Sequence, residues 1–324
     1  GVDLSPLMKE QDRDAIDLLA RLSRQEIRDF VRTSGLQLQV GERELGLPVD
    51  LRDTHIAAGT NYAAHAEEAT VEGGPFLFVK KVAPTGPFAD IPLTSGPEGA
   101  ALLDYEVELC LVALSPVDPA QGAEGMGLMM CNDVTDRDVL LHNIDPDEPE
   151  SGKGFTDGKS AEGFLPVGTL LVVPENLKDF AEQREVRLSV NGDARQQSPV
   201  SLWIWGPDEL LKQAMAQRDR VWTWRKGEAS LPIEDGKVPG RTLVLAGTLD
   251  GTVFTGISFW TIISGSVSWL FGGWDKSLAE NVIDNYVEAA REDRMYLQPG
   301  DRVSIAVEGL GLLENEVIEK GGER

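Results

Sequence analysis

Near the start of the chain, Ile16, Leu18, Leu19, Leu22, Ile27 and Phe30 recur among charged residues. That spacing predicts an amphipathic helical stretch over 5–33. The period then changes. Leu36-Gln37-Leu38-Gln39-Val40 alternates and runs into Gly41-Glu42-Arg43, which predicts a hairpin. Beyond it the pattern is one of short apolar runs broken by Gly and Pro: 56–59, 76–79, 102–114, 126–133, 169–173, 186–190, 241–246, 302–307 and 312–318. Each reads as a strand, and Asn191-Gly192-Asp193 reads as a hairpin turn. Two helices interrupt them, 207–218 with Asp208 as N-cap, and 277–296. This order predicts a β-rich α+β fold with antiparallel or mixed sheets rather than βαβ units. Residues 1–54 form a helix-and-hairpin appendage, and residues 55–324 form the main body. Two polar stretches read as loops: 145–157 as a lid, 226–240 as a surface excursion. The Ser-, Gly-, Phe- and Trp-rich stretch 254–274 suits packed core, a pocket wall or a subunit contact.

Composition narrows the function classes. The 324 residues carry 54 Asp and Glu against 30 Lys and Arg, a net charge of −24. Such a surface repels nucleic acid and anionic membranes, so neither is an expected partner. No run reaches transmembrane length, and the Gly1-Val2-Asp3-Leu4 start has no signal pattern. A cytoplasmic location is expected. Cys110 and Cys131 are expected as buried thiols in a reducing compartment, in preference to a disulfide.

The chemistry is concentrated in a few places. Glu106 and Glu108 interrupt the apolar run 102–114. Alternate residues of a strand share a face, roughly 7 Å apart, so two buried carboxylates would repel each other. A hard divalent cation relieves that, and Asp133, at the end of the next apolar run, adds a third oxygen donor. The competing reading is an ion-pair network in which Arg137 and Lys159 neutralise the same acids. In Asn61-Tyr62-Ala63-Ala64-His65-Ala66-Glu67-Glu68 a short helix would put His65 and Glu68 on one face, where a carboxylate raises imidazole basicity. A surface ion pair is the plainer reading. His55 and His142 read as structural. Lys159, before a turn, could hold a substrate carboxylate or an oxyanion, though most such lysines are solvated. Gly247-Thr248 reads as a turn able to hold a substrate oxygen, or as a plain β-turn.

Taken in order, Asn61 to Glu68, Phe78-Val79-Lys80, Asp104 to Glu108, Asn132 to Asp138, Gly158 to Gly168, Asn191-Gly192, Gly247-Thr248 and Pro299-Gly300-Asp301 resemble the motif series of the fumarylacetoacetate hydrolase family. The resemblance covers roughly residues 56–318. It implies a mixed β-sandwich roll, usually dimeric, and a Mg²⁺, Mn²⁺ or Ca²⁺ ion on Glu106, Glu108 and Asp133. It also implies catalytic roles for His65, Glu68 and Lys159, and substrate contacts from Tyr62, Lys80, Arg137, Gly247 and Thr248. Two departures stand out. The family's Gln three residues after the Arg is Leu140 here, and the Pro after its Gly-Thr turn is Leu249. Loss of the Gln implies a pocket with one polar contact fewer.

The implied activity is metal-dependent hydrolysis of a C–C bond in a 1,3-diketone or acylpyruvate-like acid. The same site would also suit a 2-keto acid hydratase or dehydratase, or an oxaloacetate-type decarboxylase. A non-catalytic, metal-containing β-sandwich binding protein is the alternative from another class; the intact His65–Glu68 pair and Lys159 argue against it. The expected partners are a small keto acid or diketone and a second copy of the chain.

Overall fold

The computed structural model describes residues 2–35, 37–68, 74–96, 99–145, 148–225, 227–256 and 277–320. Its strands in chain order are β1 (His55–Gly59), β2 (Phe76–Lys80), β3 (Ile91–Gly96), β4 (Gly99–Ala100), β5 (Leu103–Asp104), β6 (Val107–Ala113), β7 (Met126–Asn132) and β8 (Thr135–Asp136). They continue as β9 (Glu185–Val190), β10 (Asp193–Pro199), β11 (Val221–Trp224), β12 (Gly227–Ser230), β13 (Leu243–Leu245), β14 (Arg302–Val307) and β15 (Gly311–Lys320). The helices are α1 (Ala15–Arg21), α2 (Arg24–Thr33), α3 (Ala63–Glu68), α4 (Arg137–Asn143), α5 (Phe155–Lys159), α6 (Leu177–Glu182), α7 (Pro207–Ala216) and α8 (Leu278–Glu292).

Two mixed sheets dominate, in the strand orders β2-β1-β13-β6-β7 and β10-β9-β14-β15-β3-β4. The first is the core sheet. Every residue of β2, β6, β7 and β13 is buried, which is why these strands read as unbroken apolar runs rather than alternating ones. The second keeps one face in solvent, as the alternating burial of β9 shows. At its hairpin, Asn191 and Gly192 both adopt positive φ, as a two-residue turn between twisted strands requires.

The core sheet's register places the site. β1 runs parallel to β13, with Ile56 beside Val244, and β13 runs antiparallel to β6, with Leu245 beside Cys110. β7 runs antiparallel to β6, with Val107 beside Asn132. The C-terminal ends of β1, β7 and β13 and the N-terminal end of β6 therefore share one edge. Asn61, Glu106, Glu108, Asp133 and Gly247 all lie at it.

Several expectations are corrected. The stretch 5–33 is two helices and a 3₁₀ turn, because Ser23 stops α1 and caps α2 with a capping box to Glu26. No hairpin forms over 36–43 among the described residues: Gln37 bridges Val2, and Glu42–Glu44 is a 3₁₀ turn. The N-terminal segment packs on the main core through Ile16, and Arg241 ties Asp14 and Asp17 of α1 to the body. The strand expected over 102–114 breaks at Tyr105-Glu106. Residues 169–173 make only a bridge, Val172 to Leu128. Gly206, not Asp208, caps α7, with Pro207 at its first position, while Asp208 accepts the Ala123 amide. Within the stretch 145–157, residues Pro149–Ser151 form a 3₁₀ turn and the chain enters α5, whose Phe155 ring packs on Phe76 and Phe78. Residues 226–240 contain β12 and the buried Val238 rather than a loose excursion. From residue 257 to 274, the aromatic stretch lies outside the described residues.

Cys110 and Cys131 form a disulfide instead of two thiols. Cys131 faces Glu108 and Cys110 faces Met129 across the β6–β7 ladder. The two cysteines are therefore diagonal neighbours on one face, with Cα atoms 6.1 Å apart, within reach of a bridge. The reducing compartment inferred from free thiols loses that support.

Candidate active site

Glu106, Glu108 and Asp133 are all buried and converge at the shared edge. Each offers an oxygen within 4.8 Å of the others. Glu106 sits in the break between β5 and β6, yet its backbone remains paired: its N–H donates to Asn132 Oδ1, and its carbonyl accepts from Asp133 N. The break preserves the convergence that an unbroken strand predicts.

The cations arrive from three elements. Arg137 opens α4, where Asp136 caps the helix. It donates through Nη2 to Glu106 Oε1 at 2.7 Å and through Nε to Asp104 Oδ2 at 2.9 Å. Lys159 closes α5. A Cβ on Gly158 would lie 2.7 Å from Leu140 Cβ, so this glycine lets α5 approach α4 closely enough for Lys159 to reach inward. Its ammonium donates to Glu106 Oε2 at 2.6 Å, Asp133 Oδ2 at 2.9 Å and Thr135 Oγ1 at 2.7 Å. Lys80, fully buried on β2, donates to Asp133 Oδ1 and to the Phe164 carbonyl.

The expected ion-pair network therefore exists, but it leaves one acid out. Lys159 and Arg137 serve Glu106, and Lys159 and Lys80 serve Asp133. No ion pair reaches Glu108 among the described residues, and its Oε2 accepts only the Gly247 N–H at 2.7 Å. Burial, and then the charges of Asp133 and Glu106, push its carboxyl well above the ordinary range. Burial would also raise Glu106, but Lys159, Arg137 and His65 outweigh it and hold that carboxyl low. Three convergent hard oxygen donors, one without a counter-charge, fit a divalent cation.

On α3, His65 is buried, and its Nδ1 faces Glu68 Oε2 at 3.6 Å, with no hydrogen-bond partner. The pair is aligned but longer than a hydrogen bond. Glu68 is itself fixed by the Gly251 N–H, at 2.9 Å to Oε2 and 3.2 Å to Oε1. The helix starts at this edge because Asn61 ties β1 to two other segments, donating to the Ala246 and Trp205 carbonyls and accepting the Trp205 amide. Tyr62 is buried beside it; burial and the Glu108 charge raise its hydroxyl above the ordinary range. Residues 69–73, which follow α3, lie outside the described residues.

Thr248 donates to the Val107 carbonyl and accepts from Gln196. Leu140 packs in a second apolar cluster with Tyr286, Val287 and Ala290. Three contributors escaped the sequence reading. Asp104 anchors Arg137 and also accepts the Val253 and Phe254 amides. Thr135 joins Lys159 to Glu106. The buried Gln196 braces Val107, Thr248 and Leu249 together. Asp104 carried a signal, an acid within an apolar run; Thr135 and Gln196 carried none.

Comparison with known proteins agrees with this geometry. The sequence profile of the fumarylacetoacetate (FAA) hydrolase C-terminal domain matches residues 54–318. A 2,4-didehydro-3-deoxy-L-rhamnonate hydrolase of Sphingomonas sp. is 28% identical over 185 residues, which are 55% of this chain and 61% of that protein, under two thirds of its length. A mitochondrial oxaloacetate tautomerase of Bos taurus is 24% identical over 278 residues, 84% of this chain and 68% of that one. Among solved structures, a 5-carboxymethyl-2-hydroxymuconate delta-isomerase from Mycobacterium smegmatis superposes with a TM-score of 0.52 at 27% identity, covering 86% of this chain and 83% of its own. A fumarylpyruvate hydrolase from Pseudomonas aeruginosa, in complex with Mn²⁺ and pyruvate, shares the fold at 19% identity and a TM-score of 0.54, covering 88% and 100%. No helix among the described residues is long and apolar enough to cross a membrane.

Proposed function

The chain belongs to the fumarylacetoacetate hydrolase family, and on that premise we propose that it is a divalent-cation-dependent hydrolase that cleaves a C–C bond in a 1,3-diketone or acylpyruvate-like acid. The observation that carries the reading is the buried His65 imidazole, its Nδ1 turned to Glu68 and Glu68 held in turn by the Gly251 amide. Such a pair is what water activation needs. A metal with no water activation would not require it.

Glu106, Glu108 and Asp133 would hold Mg²⁺, Mn²⁺ or Ca²⁺, which when bound supplies Lewis-acid polarisation of the substrate oxygens. His65 Nε2 takes a proton from water, and Glu68 faces the positive charge that develops on Nδ1–H. The hydroxide adds to the distal carbonyl, and the C–C bond breaks. Its electron pair leaves as the enolate of the keto acid, to which His65 returns the proton. The Lys159 ammonium stabilises negative charge beside Glu106, and Arg137 holds Glu106 in place. Tyr62 and the Gly247-Thr248 turn border the substrate; Lys80 acts through Asp133. On this reading residues 55–324 form the catalytic unit and the working form is a homodimer.

The tautomerase relative, aligned over 84% of the chain, favours a second reading: keto–enol or decarboxylation chemistry on oxaloacetate. It uses the same enolate and no water. Product analysis separates the two. Acylpyruvates, oxaloacetate and 2-keto-3-deoxy acids are incubated with Mg²⁺ or Mn²⁺ and with chelator. Cation-dependent cleavage of an acylpyruvate, lost in His65→Ala with cation binding retained, supports the hydrolase. Cleavage that survives His65→Ala removes the assigned base, and turnover of oxaloacetate alone replaces the hydrolase reading with the second one.

A further inference from the structure

Arg195 is the extra residue of a β-bulge. β10 pairs Ala194 with Ser189 and Gln196 with Leu188, leaving Arg195 without a partner across the ladder. Bulges redirect a side chain. Here the flanking Gln196 turns inward to brace the Thr248 loop, and the exposed Arg195 turns outward. Its guanidinium makes no hydrogen bond or ion pair among the described residues. Arg294 follows the C-terminus of α8 with φ +51°, a left-handed position where glycine is usual. Irregular backbone thus delivers two arginines to one place.

That place is a cleft of about 610 Å³, within the range of small-ligand sites. Tyr105, Thr252, Gln298 and Asp301 share its wall with the two arginines. Asp301 is already committed, accepting from Asn191 Nδ2 and the Gln298 amide. Asp301 keeps its charge, but the cleft still carries two positive groups against one negative, on a chain whose net charge is −24. Gly251 and Thr252 also line this cleft, and Gly251 touches the catalytic pair as well. The Gly251 amide holds Glu68, and the Arg195 carbonyl packs against Gly251 so tightly that a Cβ there would lie 2.1 Å from it.

We propose that this cleft binds the carboxylate of a small organic acid, Arg195 offering its planar fork and Arg294 the second positive charge. The acid is either the remote end of a di-acid substrate or a separate small acid. Binding itself stands apart from the hydrolase reading; only the choice of source rests on it.

The test is calorimetric titration of the EDTA-treated full chain with succinate. It is run on the wild type, Arg195→Met, Arg294→Met and, as a control for binding at the acidic cradle, Glu108→Gln. Succinate affinity should fall about tenfold or more in each arginine variant and stay unchanged in Glu108→Gln. No binding to the wild type, equal affinity in all four proteins, or loss only in Glu108→Gln would overturn the site. Turnover then identifies the source. A KM rise in Arg195→Met for a di-acid acylpyruvate but not for a mono-acid one assigns the substrate's remote end. A rate that responds to added succinate with mono-acid substrate, in the wild type but not in Arg195→Met, assigns a separate acid.

Discussion

The Lys159 ammonium lies 2.6 Å from Glu106 Oε2, with both groups buried, and also bonds Asp133. One side chain thus sets the spacing of two carboxylates that would otherwise repel each other. Removing one partner of a buried pair costs about 3–5 kcal/mol. Lys159→Met should lower the metal-free unfolding free energy by about that much, measured by urea titration, and added Mn²⁺ should recover part of the loss. Stability that is unchanged would mean that the ammonium is not part of this pairing.

Glu108 stands in contrast: among the described residues no ion pair reaches it, and its Oε2 accepts from the Gly247 N–H. Its raised pKa means that the folded state holds the proton more tightly than the unfolded chain. Its stabilising contribution is full below the ordinary 4.5 and is lost as pH rises toward the folded value. Glu108→Gln removes that loss. Near neutral pH the metal-free variant should melt no lower than wild type, while the Mn²⁺-induced rise in Tm disappears. A retained Mn²⁺ shift would exclude Glu108 as a ligand.

Gly251 has φ +92° and lies against the Arg195 carbonyl. Gly251→Ala should therefore displace the amide that fixes Glu68. The expected result is a kcat about 10²-fold lower, with Mn²⁺ affinity unchanged by titration. Normal turnover would show that Glu68 does not depend on this amide.

His142 joins α4 to α8, with Nδ1 2.8 Å from Asp138 and Nε2 3.1 Å from Asp284. Burial pulls the imidazole down, but the Asp284 bond and the Asp138 carboxylate outweigh it and raise it above 6.5. The contribution is full below 6.5 and is lost as pH rises through the folded value. His142→Gln should flatten the fall in Tm between about pH 6 and pH 8.5. An unchanged slope would place the titration elsewhere.

What could be read from sequence was local. The Asn191-Gly192 turn, the apolar runs of β2 and β7, and the spacing of His65 and Glu68 are set by neighbours within a few residues. What escaped depended on distant partners. Asp208 looks like an N-cap until Ala123 claims it. Cys110 and Cys131 look like independent thiols until the β6–β7 register places them side by side. Gln196 gives no sign of its role because every group it binds belongs to another element.

The parallel pairing of β1 with β13 has a consequence for how the chain becomes active. His55 and Leu243, joined by a hydrogen bond, are 188 residues apart. On the ribosome α3 emerges before the strand that supports it, and the Gly251 amide that fixes Glu68 follows 183 residues after that glutamate. Closing so long a loop is slow. The frame of the site is therefore complete only once β13 is made, and a chain ending before β13 can carry His65 and all three acids while lacking the strand between β1 and β6.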